Sequence, residues 1–152
     1  MVLTVVPGSE LENRVQEFWD ACKAAGLRIT PQRTEIFREL VQTDEHPDAE
    51  SVHNRIRKRM PNVSLDTVYR TLALLEEYGL IRKVEVFSER LRYDPNMQQH
   101  HHFVCSRCGA IYDIHDRKLN RVQPSPKTPI GGEVESVHVQ FRGTCSQCKS
   151  RS

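Results

Sequence analysis

The chain has 152 residues, 38% of them hydrophobic, with five cysteines, seven histidines and a formal net charge of +2. No apolar run approaches the roughly 20 residues of a membrane helix, and "MVLTVVPGSE" lacks the basic start and the length of a secretory leader. A cytoplasmic chain of one or two small domains with no membrane span is therefore expected. In a reducing compartment, five cysteines favour metal binding over a disulfide framework. Residues 28–92 hold 12 Lys/Arg against 11 Asp/Glu, so bulk charge does not mark a nucleic-acid binder, and such a role would have to come from placement. The cluster "RIRKR" at 55–59 fits a solvated helix face as well as a phosphate contact.

Taken in order, the first elements are helices. Ser9 and Glu12 form a capping-box pattern ahead of Leu11, Val15, Phe18 and Cys22 at helical spacing, with Gly26 as the stop. Thr30-Pro31 predicts an N-cap and first-turn proline for a helix burying Ile36, Phe37, Leu40 and Val41. A third helix starts after "HPD", carries Ala49, Val52 and Ile56 on one stripe, and ends at Pro61. The fourth opens at Ser64, turns Leu65, Val68, Leu72 and Leu75 inward, and closes at Gly79. At about 100° per residue, Arg70 lies on the outer side of that helix. "LIRKVEV" and "RLRYD", joined by "FSE", predict a hairpin. Helices and a hairpin in this order describe a winged helix-turn-helix, in which a helix enters the major groove.

Beyond Asp94 the pattern changes. "HHHFVC" and "AIYDI" predict strands, as does "VESVHVQFRGTC" through Val137, Val139 and Phe141, and "QPSPKTPIGG" predicts loop. The expected fold is α+β, with a winged-helix domain over 1–92 and a small α/β domain over 93–152. So small a lobe needs a metal, disulfides or a partner chain to hold it together. Cys105 and Cys108, with Cys145 and Cys148, form two Cys-x-x-Cys pairs suited to a tetrahedral, closed and therefore structural zinc site. Gly109 eases the turn after the first pair. Cys22, on an apolar stripe, is expected to be a core thiol.

Three successive histidines precede the first pair. With a strand's period of two, His100 and His102 share a face and His101 points the other way. His-x-His on one face is a ready bidentate metal grip, and structural or surface histidines are the other reading.

The motifs "GLRITPQR", "HPDAESV", "SLDTVYRTLALLEEYGL", "HHHFVCSRCG" and "CSQC" together resemble the ferric-uptake-regulator family over nearly the whole chain. The resemblance implies a homodimeric, metal-dependent repressor of double-stranded operator DNA, with structural zinc, a regulatory metal and a dimerising second domain. Within that family the pattern is most similar to the peroxide-responsive regulators. It implies a regulatory site of His46, Asp94, His100, His102 and Asp113, with Tyr69 and Arg70 facing the groove and Arg33 and Arg57 as phosphate partners. Packing and solvated-surface roles remain open for Tyr69 and Arg70.

Iron-uptake regulators commonly carry Glu at one or both carboxylate positions, so the Asp pair favours peroxide sensing over an iron-responsive regulator. Three imidazoles and two carboxylates suit iron(II) or manganese(II). "QPSPKTPIGG" departs from the family by replacing much of a helix, and Val137 stands where a family histidine often sits. His101 and His138 are accordingly expected to be ordinary surface histidines, and His53 and His115 surface or secondary groups. A catalytic metal centre would leave the winged helix unexplained. A zinc-ribbon adaptor would leave His46, Asp94 and Asp113 unexplained.

Overall fold

A computed structural model describes residues 7–84, 90–128 and 130–151. The chain forms two compact units, 1–97 and 98–152. Among the described residues no helix is long and apolar enough to cross a membrane.

In the first unit, α1 (Gly8–Ala24), α2 (Pro31–Val41), α3 (Ala49–Ile56) and α4 (Leu65–Glu77) precede the strands β1 (Arg82–Val84) and β2 (Arg92–Asp94). Thr30, Asp48 and Ser64 cap α2, α3 and α4, each side chain accepting the backbone N–H three residues on. The apolar stripes meet in one core. Val15, Cys22, Ile36, Leu40, Val52, Ile56, Val68, Leu72 and Leu75 are fully buried, and Phe18 stacks on Phe37 with ring centroids 4.4 Å apart. Burial pushes the Cys22 thiol above its ordinary value, as expected of an inert core cysteine.

β1 and β2 pair antiparallel, Arg82 opposite Asp94. With the four helices they make a winged helix-turn-helix. The "FSE" connection and the end of the first predicted strand lie outside the described residues.

Two sequence expectations are corrected here. The Ser9–Glu12 capping box does not form: α1 begins at Gly8 behind Pro7, whose carbonyl accepts from the N–H groups of Glu10 and Leu11. Proline's fixed φ already starts the helix, so no side-chain cap is used. Helix α3 stops at Ile56, not Pro61, because the N–H groups of Arg59 and Met60 both return to the Ile56 carbonyl and close a turn.

In the second unit, β3 (His101–Cys105) is the central strand, antiparallel to β4 (Ile111–Ile114) and parallel to β5 (Gln140–Gly143). A 3-10 turn spans Leu119–Arg121, and a short helix α5 (Ser146–Ser150) ends the lobe. The third predicted strand is thus shorter than its alternation suggested. Phe141, one of the residues that carried the predicted alternation, is 45% exposed. It lies opposite Phe103 on the face away from Val104, and alternation alone does not supply a layer to cover that face. Among the described residues, buried apolar side chains of this unit are few: Val104 and Ile111, besides Cys105 and Cys145.

Candidate metal sites and nucleic-acid face

The strand pairing and turns of the second unit gather its cysteines. After β3 the chain folds back at once: Cys105 N–H donates to the Ala110 carbonyl, Gly109 N–H donates to the Cys105 carbonyl, and Gly109 adopts φ +71°. Parallel pairing of β5 with β3 carries Cys145 alongside, and Cys145 caps α5 by accepting the Cys148 N–H. The four sulfurs lie within 4.8 Å of one another. Cys108 Sγ and Cys145 Sγ are 3.8 Å apart, far beyond the roughly 2.05 Å of a disulfide, and the four sulfurs together could hold a metal ion.

The electrostatics agree with that reading. Backbone N–H groups of Cys108 and Cys145 hold the Cys105 thiol down at about 6. The Cys148 N–H likewise lowers Cys145. Hydrogen bonding to Cys108, with burial, pushes Cys148 up to about 12. The cluster therefore favours some thiolates and strains against a full set, which a divalent cation would neutralise.

A second cluster lies at the start of β3. His102 is opposite Asp113 in the β3–β4 register. His100 Nε2 and His102 Nε2 are 3.0 Å apart, and each is 3.5 Å from Asp113 Oδ1. Both histidines are buried and Asp113 is half-buried. His100 Nδ1–H donates to the Gln98 carbonyl at 2.8 Å, which turns that ring's Nε2 lone pair toward His102. Two imidazole lone pairs and a carboxylate oxygen converging this closely repel unless a proton or a cation lies among them. The spacing suits donors about 2.0–2.2 Å from one ion.

The first unit holds a comparable pair. His46 Nε2 lies 3.7 Å from Asp94 Oδ2, and both residues are buried. His46 Nδ1–H donates to the Asp44 carbonyl at 2.8 Å, so Nε2 carries the lone pair. Asn96 N–H fixes Asp94 Oδ1 at 2.7 Å. Strand β2 holds the pair together. Arg92 Nε donates to the His46 carbonyl, Arg92 Nη2 to the Glu45 carbonyl at 2.6 Å, and Tyr93 N–H to the Pro47 carbonyl at 3.1 Å. His46 adopts φ +52°, left-handed backbone that is uncommon outside glycine and often kept at functional positions. Arg92 was not among the sequence candidates, since an arginine that buttresses a backbone carbonyl leaves no spacing signature.

His101 requires a correction. It is not a surface residue but is fully buried, with Nε2 2.8 Å from Asn120 Oδ1 and Nδ1 accepting the Val139 N–H at 3.1 Å. It is a hydrogen-bonded tie between β3, the 3-10 turn and the approach to β5. Asn120 could not have been singled out from sequence, because it lies in a segment without periodicity. His138 is exposed, His115 is exposed beside His100 with ring centroids 5.6 Å apart, and His53 Nε2 contacts the Val63 carbonyl at 2.9 Å.

On α4, Tyr69 is 46% exposed, and Arg70 extends into solvent in an i,i+4 pair with Asp66 at 2.9 Å. Such exposed pairs are worth only about 0.3–0.5 kcal/mol, so a phosphate or base edge competes easily for the guanidinium. Arg57 is exposed at the end of α3. Arg33, half-buried, donates to the Arg28 carbonyl at 2.5 Å.

A winged helix, a four-cysteine cluster and a separate histidine–carboxylate cluster define a metal-responsive transcriptional regulator. The chain belongs to the ferric uptake regulator family, whose model matches residues 24–142, and whose members are transcriptional regulators, not enzymes. It is similar to the peroxide-responsive repressor PerR of Staphylococcus epidermidis, with 29% identity over 139 residues covering 91% of this chain and 93% of that one. Its fold is similar to that of the Helicobacter pylori ferric uptake regulator Fur, described as having three functional metal binding sites. That match has a TM-score of 0.76 at 26% identity and covers 91% of this chain and 93% of the other. It is also similar to the Campylobacter jejuni peroxide stress regulator, with a TM-score of 0.67 at 31% identity over 88% of this chain and 98% of that one.

Proposed function

We propose that this protein is a homodimeric, metal-dependent repressor of double-stranded operator DNA that senses peroxide through oxidation of a regulatory-site histidine. The observation that carries the reading is the convergence of His100 Nε2, His102 Nε2 and Asp113 Oδ1 within 3.5 Å. A second observation is the buried His46–Asp94 pair built within the first unit. In this proposal the five residues hold one ion. Their imidazoles and carboxylates suit iron(II) or manganese(II), and lack the thiolates that favour zinc or copper. Cys105, Cys108, Cys145 and Cys148 hold structural zinc.

Bound iron(II) would supply one-electron reduction of peroxide, and manganese(II) runs that chemistry far less readily. The residues' part would be to position the ion and to present His46 or His100 as the oxygen acceptor. The ion would favour the DNA-binding population of the protein, and loss of a ligand would release that bias. Support for the peroxide reading comes from the aspartates at both carboxylate positions and from the two similar peroxide regulators. An iron-responsive uptake regulator is the second reading, favoured by the likeness to the Helicobacter pylori fold. Exposed Ile130, Val134 and Phe141 in the second unit fit a surface covered by a second copy of the chain.

The DNA contact is assigned to α4, with Tyr69 on a thymine methyl and Arg70 on guanine or phosphate, and Arg33 and Arg57 on phosphates. Arg70→Ala is expected to weaken operator binding by about 1–3 kcal/mol if the side chain reads a base. If it touches only phosphate, affinity falls on all sequences and the salt dependence shrinks. Fluorescence anisotropy with a palindromic duplex, over a salt series and with or without manganese(II), tests both the contact and the metal requirement. Equal binding with and without the ion would overturn the metal-dependent reading.

A further inference from the structure

The regulatory ligands treat their outer ring nitrogens differently. His100 points Nδ1 at the Gln98 carbonyl and His46 points Nδ1 at the Asp44 carbonyl. A carbonyl only accepts, so each ring is fixed with its lone pair on Nε2. His102 instead points Nδ1 at another imidazole, with His138 Nε2 3.1 Å away and ring centroids 4.9 Å apart. The next residue, Val139, is tied to β3 twice: His102 N–H donates to the Val139 carbonyl at 3.1 Å, and Val139 N–H donates to His101 Nδ1.

An imidazole can accept or donate, so two arrangements of neutral rings fit the His102–His138 contact. In the first, His138 Nε2–H donates to His102 Nδ1, His102 Nε2–H donates to His100 Nε2, and His100 Nδ1–H donates to Gln98. That chain of hydrogen bonds is complete without an ion. In the second, His102 carries its proton on Nδ1 and gives it to His138 Nε2, while the Nε2 lone pairs of His100 and His102 converge. Each ring keeps one proton in both arrangements. His138 is exposed. Only the second arrangement presents both lone pairs to a cation.

We propose that His138, outside the ligand set, is a positioning residue that accepts the Nδ1–H of His102 and so holds His102 in its ligating tautomer. The inference rests on the proposed regulatory metal site. An outer partner of a metal-bound histidine fixes its tautomer and orientation, and its loss typically costs roughly 10–100-fold in metal affinity. His138 was set aside at the sequence level because it lies one place from where a family histidine often sits. The structure places it against His102, a residue of the proposed ligand set.

The test is a competition titration of the zinc-loaded, full-length protein with manganese(II). His138→Leu should lower manganese affinity by roughly 10–100-fold, with zinc content and thermal unfolding unchanged. His138→Gln, whose side-chain carbonyl accepts the same proton, should stay within a few-fold of the unmodified protein. That rescue separates a hydrogen-bond role from a merely structural one, and also from His138 acting as a ligand itself. Unchanged affinity in His138→Leu, or equal weakening in both variants, would overturn the proposal. Asp113→Ala serves as the control. If it weakens manganese binding while His138→Leu does not, this inference fails and the site stands. If it too has no effect, the site reading fails and the inference falls with it.

Discussion

Cys105→Ser is expected to strip the zinc and unfold residues 98–152, leaving the helical unit folded. Buried aliphatic side chains are worth about 1.5–3 kcal/mol each, and among the described residues of this lobe only Val104 and Ile111 are of that kind. A structural zinc contributes on the order of 10 kcal/mol to the folding of small domains, so the metal outweighs what the lobe buries. Cys105 is also the sulfur most stabilised as thiolate, through N–H groups from both halves of the cluster. The first unit keeps its own core from Val15 to Leu75. Metal analysis should find no zinc, and amide exchange should lose protection across β3 and β4 while α2 and α4 stay protected. A zinc-free variant with full protection over 101–114 would show that the cysteines do not hold the lobe.

Asp113→Ala is expected to leave the zinc in place and remove the regulatory ion. The carboxylate is one of two charged ligands in the proposed set. Its loss should therefore cost more than the roughly 10–100-fold typical of an outer-shell partner. The strand need not unfold, since Asp113 is half-buried and its pairing with His102 is made by the backbone. Operator binding should fall with manganese affinity and recover at high manganese concentration, because mass action restores the ion-bound population. A variant that binds manganese as before would remove Asp113 from the site.

Much of this was legible in the sequence, where one local rule decided the outcome. The stripes on α1 to α4 predicted the core because helical spacing and burial are the same constraint seen twice. Cys105–Cys108 and Cys145–Cys148 stood out because two Cys-x-x-Cys pairs in one small lobe match the ligand spacing of a tetrahedral metal site. Where two local signals competed, the reading missed: Pro7 started α1 ahead of Ser9, and a turn closed α3 short of Pro61. Tertiary partners were beyond reach. The burial of His101 depends on Asn120 and on the Val139 N–H, and the contact of His138 depends on the path into β5. Phe141 shows the limit of alternation, which assigns a side chain to a face but not a layer to that face.

The most direct test of peroxide sensing compares iron(II) with manganese(II) on the same zinc-loaded protein. Anisotropy follows the operator while low peroxide is added, and mass spectrometry of tryptic peptides follows His46 and His100. With iron, peroxide should release the DNA as one oxygen atom is gained at His46 or His100. With manganese, the complex should persist and both histidines stay unmodified. If iron activates DNA binding but peroxide leaves both histidines unmodified and the DNA bound, the protein is an iron-responsive regulator and peroxide sensing is contradicted.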